Sequence, residues 1–226
     1  MNTLRQISFY LALGWLLVSC GTQETKNEQE ADLAVDDQDI EAVFGKIELG
    51  LAQKSDWKNH WSTLIGGMKM EDFELVFTDS IDPLEMPEKN PILDKDPLAP
   101  YQLPHPEGNG VIDMYSYKVE ARQDLDQPYL NPDSEVIWYR ADGMRERLLF
   151  MGPSGMFEEG LWLSPSEFLV MGFFQEEEGF RPLLWYIRVD THQVTQFKFP
   201  RTLPSYEIDS YLSKKLRNLD ISLDAN

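Results

Sequence analysis

The sequence predicts an α+β domain, mostly an antiparallel β meander with short flanking helices. Two observations carry this: strand-like segments separated by turn signals between residues 111 and 199, and amphipathic helix patterns confined to the flanks of that region. At 226 residues with 12% aromatics, the chain is long enough to bury one substantial core.

At the N-terminus Arg5 precedes an apolar run over 7–18, and small residues, Ser19 and Gly21, flank Cys20. This is the layout of a signal peptide over 1–19. A dozen apolar residues form a helix of roughly 18 Å, short of the ~30 Å hydrocarbon core, so the run does not suit a permanent membrane span. Leu17, Val18, Ser19 and Cys20 resemble the lipobox of bacterial lipoproteins. The resemblance implies recognition of Leu17, Val18 and Ser19 by signal peptidase II, cleavage before Cys20, and palmitate-type acylation of that cysteine. Two or three acyl chains anchor stably where one binds only marginally. The expected location is the cell envelope, lipid-anchored and extracytoplasmic, at the outer membrane on its periplasmic or surface face. The overall layout also resembles envelope lipoproteins of the Bacteroidota type, a class that implies no particular activity.

The chain carries 39 acidic and 20 basic residues, a net charge of −19. Such a surface excludes nucleic acid as a partner and repels anionic headgroups, leaving membrane contact to the lipid. With a single cysteine there is no internal disulfide, and the core must hold by packing.

From 20 to 37 the chain is polar and acid-rich, which predicts a disordered tether, followed by one β-rich domain over 38–226. Asp39 suits the start of a helix with Ile40, Val43, Phe44 and Ile47 on one face, although Gly45 and Gly50 weaken it. A second helix is capped by Ser55, carries Trp57, Trp61, Leu64 and Ile65 at helical spacing, and ends at Gly66 and Gly67. The tryptophan pair reads as core packing. Residues 73–77 form a short strand. The stretch 83–106 holds seven of the fourteen prolines and predicts no regular structure; its Asp94 and Asp96 lack the glycine and distal glutamate of an EF-hand.

Strands are then expected over 111–119, 135–140, 145–150, 161–163, 167–174, 183–189 and 194–199, with Asp142 and Gly143 forming a hairpin turn. The segment 167–174 is apolar throughout and is expected to be covered on both faces. At a spacing of 48 residues, Arg140 and Asp142 correspond to Arg188 and Asp190. The stretch 161–199 resembles one four-stranded blade of a β-propeller and 111–150 a less regular one; two blades cannot close a ring. A last helix over 207–219 places Ile208, Tyr211, Leu212, Leu216 and Leu219 on one face, with Lys214, Lys215 and Arg217 near its C-terminal end.

Catalytic patterns are sparse. His60, His105 and His192 have no metal-ligand spacing and read as surface residues. The run from Gly152 to Gly155 reads as a turn rather than a nucleophile elbow. Glu158, Glu159 and the acids at 176–178 read as solvated turn residues, and adjacent acids in a strand would alternate in direction, so no catalytic pair, metal site or cofactor is assigned. One candidate binding face is Trp138 with Arg140 and Tyr186 with Arg188, aromatics beside arginines suited to sugars or peptides. That face requires Trp138 and Tyr186 to be exposed. The sequence therefore predicts a membrane-anchored, non-catalytic binding or assembly module whose partner is an envelope protein, a peptide or a glycan; the alternatives are a secreted hydrolase acting on glycan or peptide and a purely structural lipoprotein.

Overall fold

The computed structural model describes residues 37–120, 129–217 and 219. The expected signal peptide, Leu17, Val18, Ser19, the lipid-bearing Cys20 and nearly all of the tether lie outside these residues. No helix among the described residues is long and apolar enough to cross a membrane.

Two helices come first, α1 over Asp37–Gln53 and α2 over Ser55–Ile65. Gly50, read from sequence as a weak point, is where α1 meets the sheet: a Cβ there would lie 2.7 Å from the Leu163 side chain. Helix α2 stops at Gly66, whose φ of 78° is the left-handed conformation, and Gly67 N–H bonds back to the Ser62 carbonyl. Ser55 is the first helical residue, with Lys54 preceding it at the cap.

Strand β1 spans Glu74–Ser80. The proline-rich stretch contributes only β2 (Met86–Pro87), β3 (Leu103–Pro104) and a 3-10 turn at Ala99–Tyr101, since proline cannot donate to a ladder. Asp94 is exposed, and Asp96 accepts from Leu98 N–H to initiate that turn. After these come β4 (Val111–Asp113), β5 (Val119–Glu120), β6 (Tyr129–Leu130), β7 (Ser134–Tyr139) and β8 (Met144–Met151). The long strands follow: β9 (Gly155–Ser164), β10 (Glu167–Glu176), β11 (Gly179–Arg188) and β12 (Gln193–Lys198), then α3 (Ser210–Lys215). Where the sequence suggested one strand over 111–119, the chain breaks at Asp113, whose carboxylate accepts from the N–H groups of Tyr115 and Ser116 and turns the backbone out of the ladder.

The strands form two antiparallel five-stranded sheets, ordered β1-β12-β11-β10-β9 and β2-β8-β7-β4-β3, with a separate β5-β6 pair. The architecture is α+β and mostly β, and neither sheet closes into a barrel. Helices cover one face of the first sheet, where Phe44 meets Phe197 and Trp61 meets Phe173. The second sheet packs on its other face, where Trp138 meets Trp162 and Gly160 admits Met114 and Phe168. Strand β10, sandwiched between, is buried on both faces from Phe168 to Phe173, which is why its sequence is apolar without alternation. Both hairpins related by the 48-residue spacing carry an arginine facing an aspartate two residues on, Arg140 with Asp142 and Arg188 with Asp190, but they belong to different sheets.

Candidate functional site

Strand β9 pairs with β10 through Phe157 opposite Gly172 and Glu159 opposite Met171, so Glu158 between them has no partner. Such a bulge inserts one residue and re-aims its side chain. In a regular strand Glu158 and Glu159 would face opposite ways; here both reach the helix-covered side. Far from solvated turn residues, they are 0% and 2% exposed in the middle of a strand.

Helix α2 supplies the surroundings of Glu158. Trp57 and Trp61 lie four residues apart on one face, and both indole N–H groups donate to Glu158 Oε2 at 2.8 Å. Tyr206, from the segment preceding α3, donates to Oε1 at 2.7 Å. Burial pushes the Glu158 carboxyl up to about 7, and the three donors hold it from rising further. Glu159 lies beside it in a different setting. Burial raises its carboxyl too, but Lys215 and Lys54 outweigh that effect and bring it below the usual carboxylate range. Tyr211 also donates to Glu159, at 2.8 Å.

Between α2 and the segment leading through α3 lies a pocket of about 870 Å³, lined by Asn59, His60, Glu159, Ser210, Tyr211 and Lys214 among others. His60 Nε2 is 3.0 Å from Tyr206 Oη, and its Nδ1 is 3.3 Å from Lys214 Nζ. An ammonium has no lone pair, so Nδ1 must accept and Nε2 carries the hydrogen. Partial burial and then the Lys214 charge lower His60 to about 4, so the ring is neutral at physiological pH. A continuous hydrogen-bonded chain thus runs from Lys214 in the pocket through His60 and Tyr206 to the buried Glu158. Lys214 and Arg217, both exposed on the pocket wall, form no ion pair among the described residues.

Comparison of the chain with family models, with curated proteins and with solved structures gives no match.

Of the four side chains singled out from sequence, Arg140 lies over the Trp138 ring, 5.8 Å from its centroid, but this pair and the pair Tyr186 and Arg188 belong to different sheets and form no common face. Trp138, on β7, is 6% exposed, donates to Asn109 O at 3.0 Å and stacks on His105. Tyr186, on β11, is 4% exposed and bonds to Glu167 on the opposite side of the first sheet. Arg140 is engaged by Asp142 and by Glu146 at 2.5 Å, whereas Arg188 stays exposed, 3.9 Å from Asp190. His105 is not a surface residue: it is buried, its Nδ1 accepts from Glu107 N–H, and its Nε2 therefore donates to Pro165 O at 2.7 Å. His192 contacts the wholly buried Glu146 at 3.1 Å. No group of three or more His, Cys, Asp or Glu among the described residues is placed to hold a metal ion. The missed signal was the apolar flanking of the acid pair: Met156 and Phe157 precede it and Leu161 to Leu163 follow, a pattern that belongs inside a strand.

Proposed function

We propose that the chain is a lipid-anchored binding module of the bacterial cell envelope, and that the pocket between α2 and α3 receives a short, carboxylate-bearing ligand of the glycan or peptide class. The observation that carries this reading is the lining: Asn59, His60, Ser210 and Tyr211 present hydrogen-bonding groups, while Lys214 and Arg217, which form no ion pair among the described residues, offer their charges to an anion. The buried network beneath holds Tyr206, Tyr211 and His60 in fixed orientations, so the ligand meets a pre-organised wall.

Titrating the full chain with acidic oligosaccharides and with short peptides, by calorimetry, tests the pocket. Binding should weaken at least tenfold in Lys214→Ala and Arg217→Ala; unchanged affinity in both variants rules the pocket out. The anchor is tested separately by metabolic labelling with a palmitate analogue, which should mark the wild type and not Cys20→Ala.

A hydrolase is favoured by one observation, two adjacent carboxyls displaced in opposite directions. Against it, Glu158 has no exposed surface and spends both oxygens on Trp57, Trp61 and Tyr206, so it reaches the pocket only through Tyr206 and His60. Turnover of fluorogenic glycosides or peptides that disappears in Glu159→Gln would select this alternative.

A further inference from the structure

Among the described residues, strand β1 is the outermost strand of the first sheet and pairs with β12 alone. No loop or turn backbone among the described residues bonds to residues 74–80, and in the outer row only the Ser80 N–H is engaged by a side chain among the described residues, that of Asp79. Its three consecutive apolar side chains are all half-exposed: Leu75 at 41%, Val76 at 44% and Phe77 at 43%. Because Leu75 and Phe77 pair with consecutive residues of β12, Phe197 and Gln196, they point to opposite faces, and apolar surface is uncovered on both sides of this edge. Natural edges are usually blunted by lysine, proline or an inward charge, and the stretch from Glu74 to Ser80 contains neither lysine nor proline. Protection comes from the acids Glu74 and Asp79 and from a bulge at Val76, which has no partner on β12; from Phe77 to Ser80 the ladder is regular again. An edge of this kind is a template for an added strand.

The charges around the edge say what strand it accepts. Asp79 within β1, Asp72 two residues before it and Asp82 two residues after it are exposed and form no ion pair among the described residues. Glu74 faces Lys198 at 3.5 Å and Glu71 pairs with Lys69, so these two are already balanced. A second copy of the chain, itself at −19, would set like charges against these aspartates. We propose that β1 is a docking edge for an extended segment of another protein, with alternating apolar residues at its centre and basic residues at its ends. The partner would add as an antiparallel or parallel neighbour to β1, covering Leu75, Val76 and Phe77 while its cations meet Asp72, Asp79 and Asp82. This surface is separate from the pocket between α2 and α3, and neither reading depends on the other.

A labelled synthetic peptide alternating valine and threonine between paired lysines provides the probe, read by fluorescence anisotropy against the full chain. It should bind, and the same peptide with glutamates in place of the lysines should bind at least tenfold more weakly. N-methylation of alternate backbone amides should abolish binding, because the ladder would be lost. Phe77→Lys should weaken binding at least tenfold with circular dichroism unchanged, and Asp79→Lys should reverse the preference between basic and acidic peptides. Absence of binding, indifference to N-methylation, or equal binding of the two peptides overturns the proposal. So does a concentration-dependent dimer in sedimentation that Phe77→Lys dissolves, which would assign the edge to a second copy instead.

Discussion

Glu158 and Glu159, adjacent in the chain, both turn toward the helices because the first is the extra residue of a β-bulge. Their carboxyls nonetheless titrate in opposite senses. Glu158 is held by neutral donors from two tryptophans and a tyrosine, Glu159 by two lysines. One position of register therefore creates two unlike acids side by side.

The first prediction concerns pH. Glu158 titrates near 4.5 when unfolded and near 7 when folded, so over that interval the folded state holds a proton the unfolded state has released. Its contribution makes stability fall as pH rises from about 4.5 to 7 and level off above. His60, lowered from 6.5 to about 4, acts oppositely: stability rises from about pH 4 to 6.5 and is lost on acidification. Urea midpoints of the wild type should change little between about pH 4.5 and 6.5. Glu158→Gln should rise with pH across that window, and His60→Asn should fall. The same slope in all three proteins would contradict the opposition.

The tryptophans test the hydrogen bonds. Trp57→Phe or Trp61→Phe keeps most of the packing but removes one donor from a carboxylate with no exposed surface, at a cost of about 1–3 kcal/mol each. Because the loss falls on the ionised form, the deficit should be larger at pH 8 than at pH 5. Equilibrium unfolding at the two pH values reads the difference.

Backbone proximity makes a third prediction. A Cβ on Gly172 would sit 2.0 Å from the Met156 carbonyl oxygen, and backbone cannot rotate away, so Gly172→Ala should lower stability by more than about 3 kcal/mol or prevent folding. Gly45, on α1, has nothing within 4 Å of the same position. Gly45→Ala should raise the melting temperature, by about 0.5–1 kcal/mol in helix propensity.

The pair Arg140 and Glu146 makes a fourth. Glu146 is 0% exposed and is held by Arg140 at 2.5 Å and by His192 at 3.1 Å. Arg140→Met should cost roughly 3 kcal/mol by stranding a buried carboxylate, whereas Arg140→Met combined with Glu146→Leu should recover most of that loss. A double-mutant cycle in urea gives the coupling directly.

Much of the scaffold was legible without coordinates. The period of Trp57, Trp61 and Ile65 marked α2, Gly66 marked its end, and the hairpin turn at Asp142 and Gly143 separated β7 from β8. The unbroken apolar run of β10 pointed to a strand covered on both faces. These features are local: each depends on residues within one or two turns of chain. The last helix was expected over 207–219 but occupies Ser210–Lys215, because Tyr206 is drawn away to Glu158 and leaves Ile208 53% exposed.

The acid pair was not legible, for a related reason. Gly160 looks like a strand breaker, yet it is small because Met114, which follows β4 of the other sheet, and Phe168 of the neighbouring strand β10 press against it. Without that knowledge the strand reads as beginning at Leu161, and Glu158 and Glu159 fall into a turn. Likewise Trp138 and Tyr186 alternate correctly along their own strands, but which face of a sheet meets solvent depends on what packs over it.

By itself the sequence determined the α+β class, the run of antiparallel hairpins, the acidic surface and the helix spacing of the tryptophans, since backbone geometry converts residue period directly into local structure. Only the tertiary structure decided that two consecutive glutamates share a side, that His60 joins Glu158 through Tyr206, and that β1 keeps an open edge. Those outcomes depend on ladder register and on layers packed from segments a hundred residues apart, where a shift of one residue exchanges core for solvent.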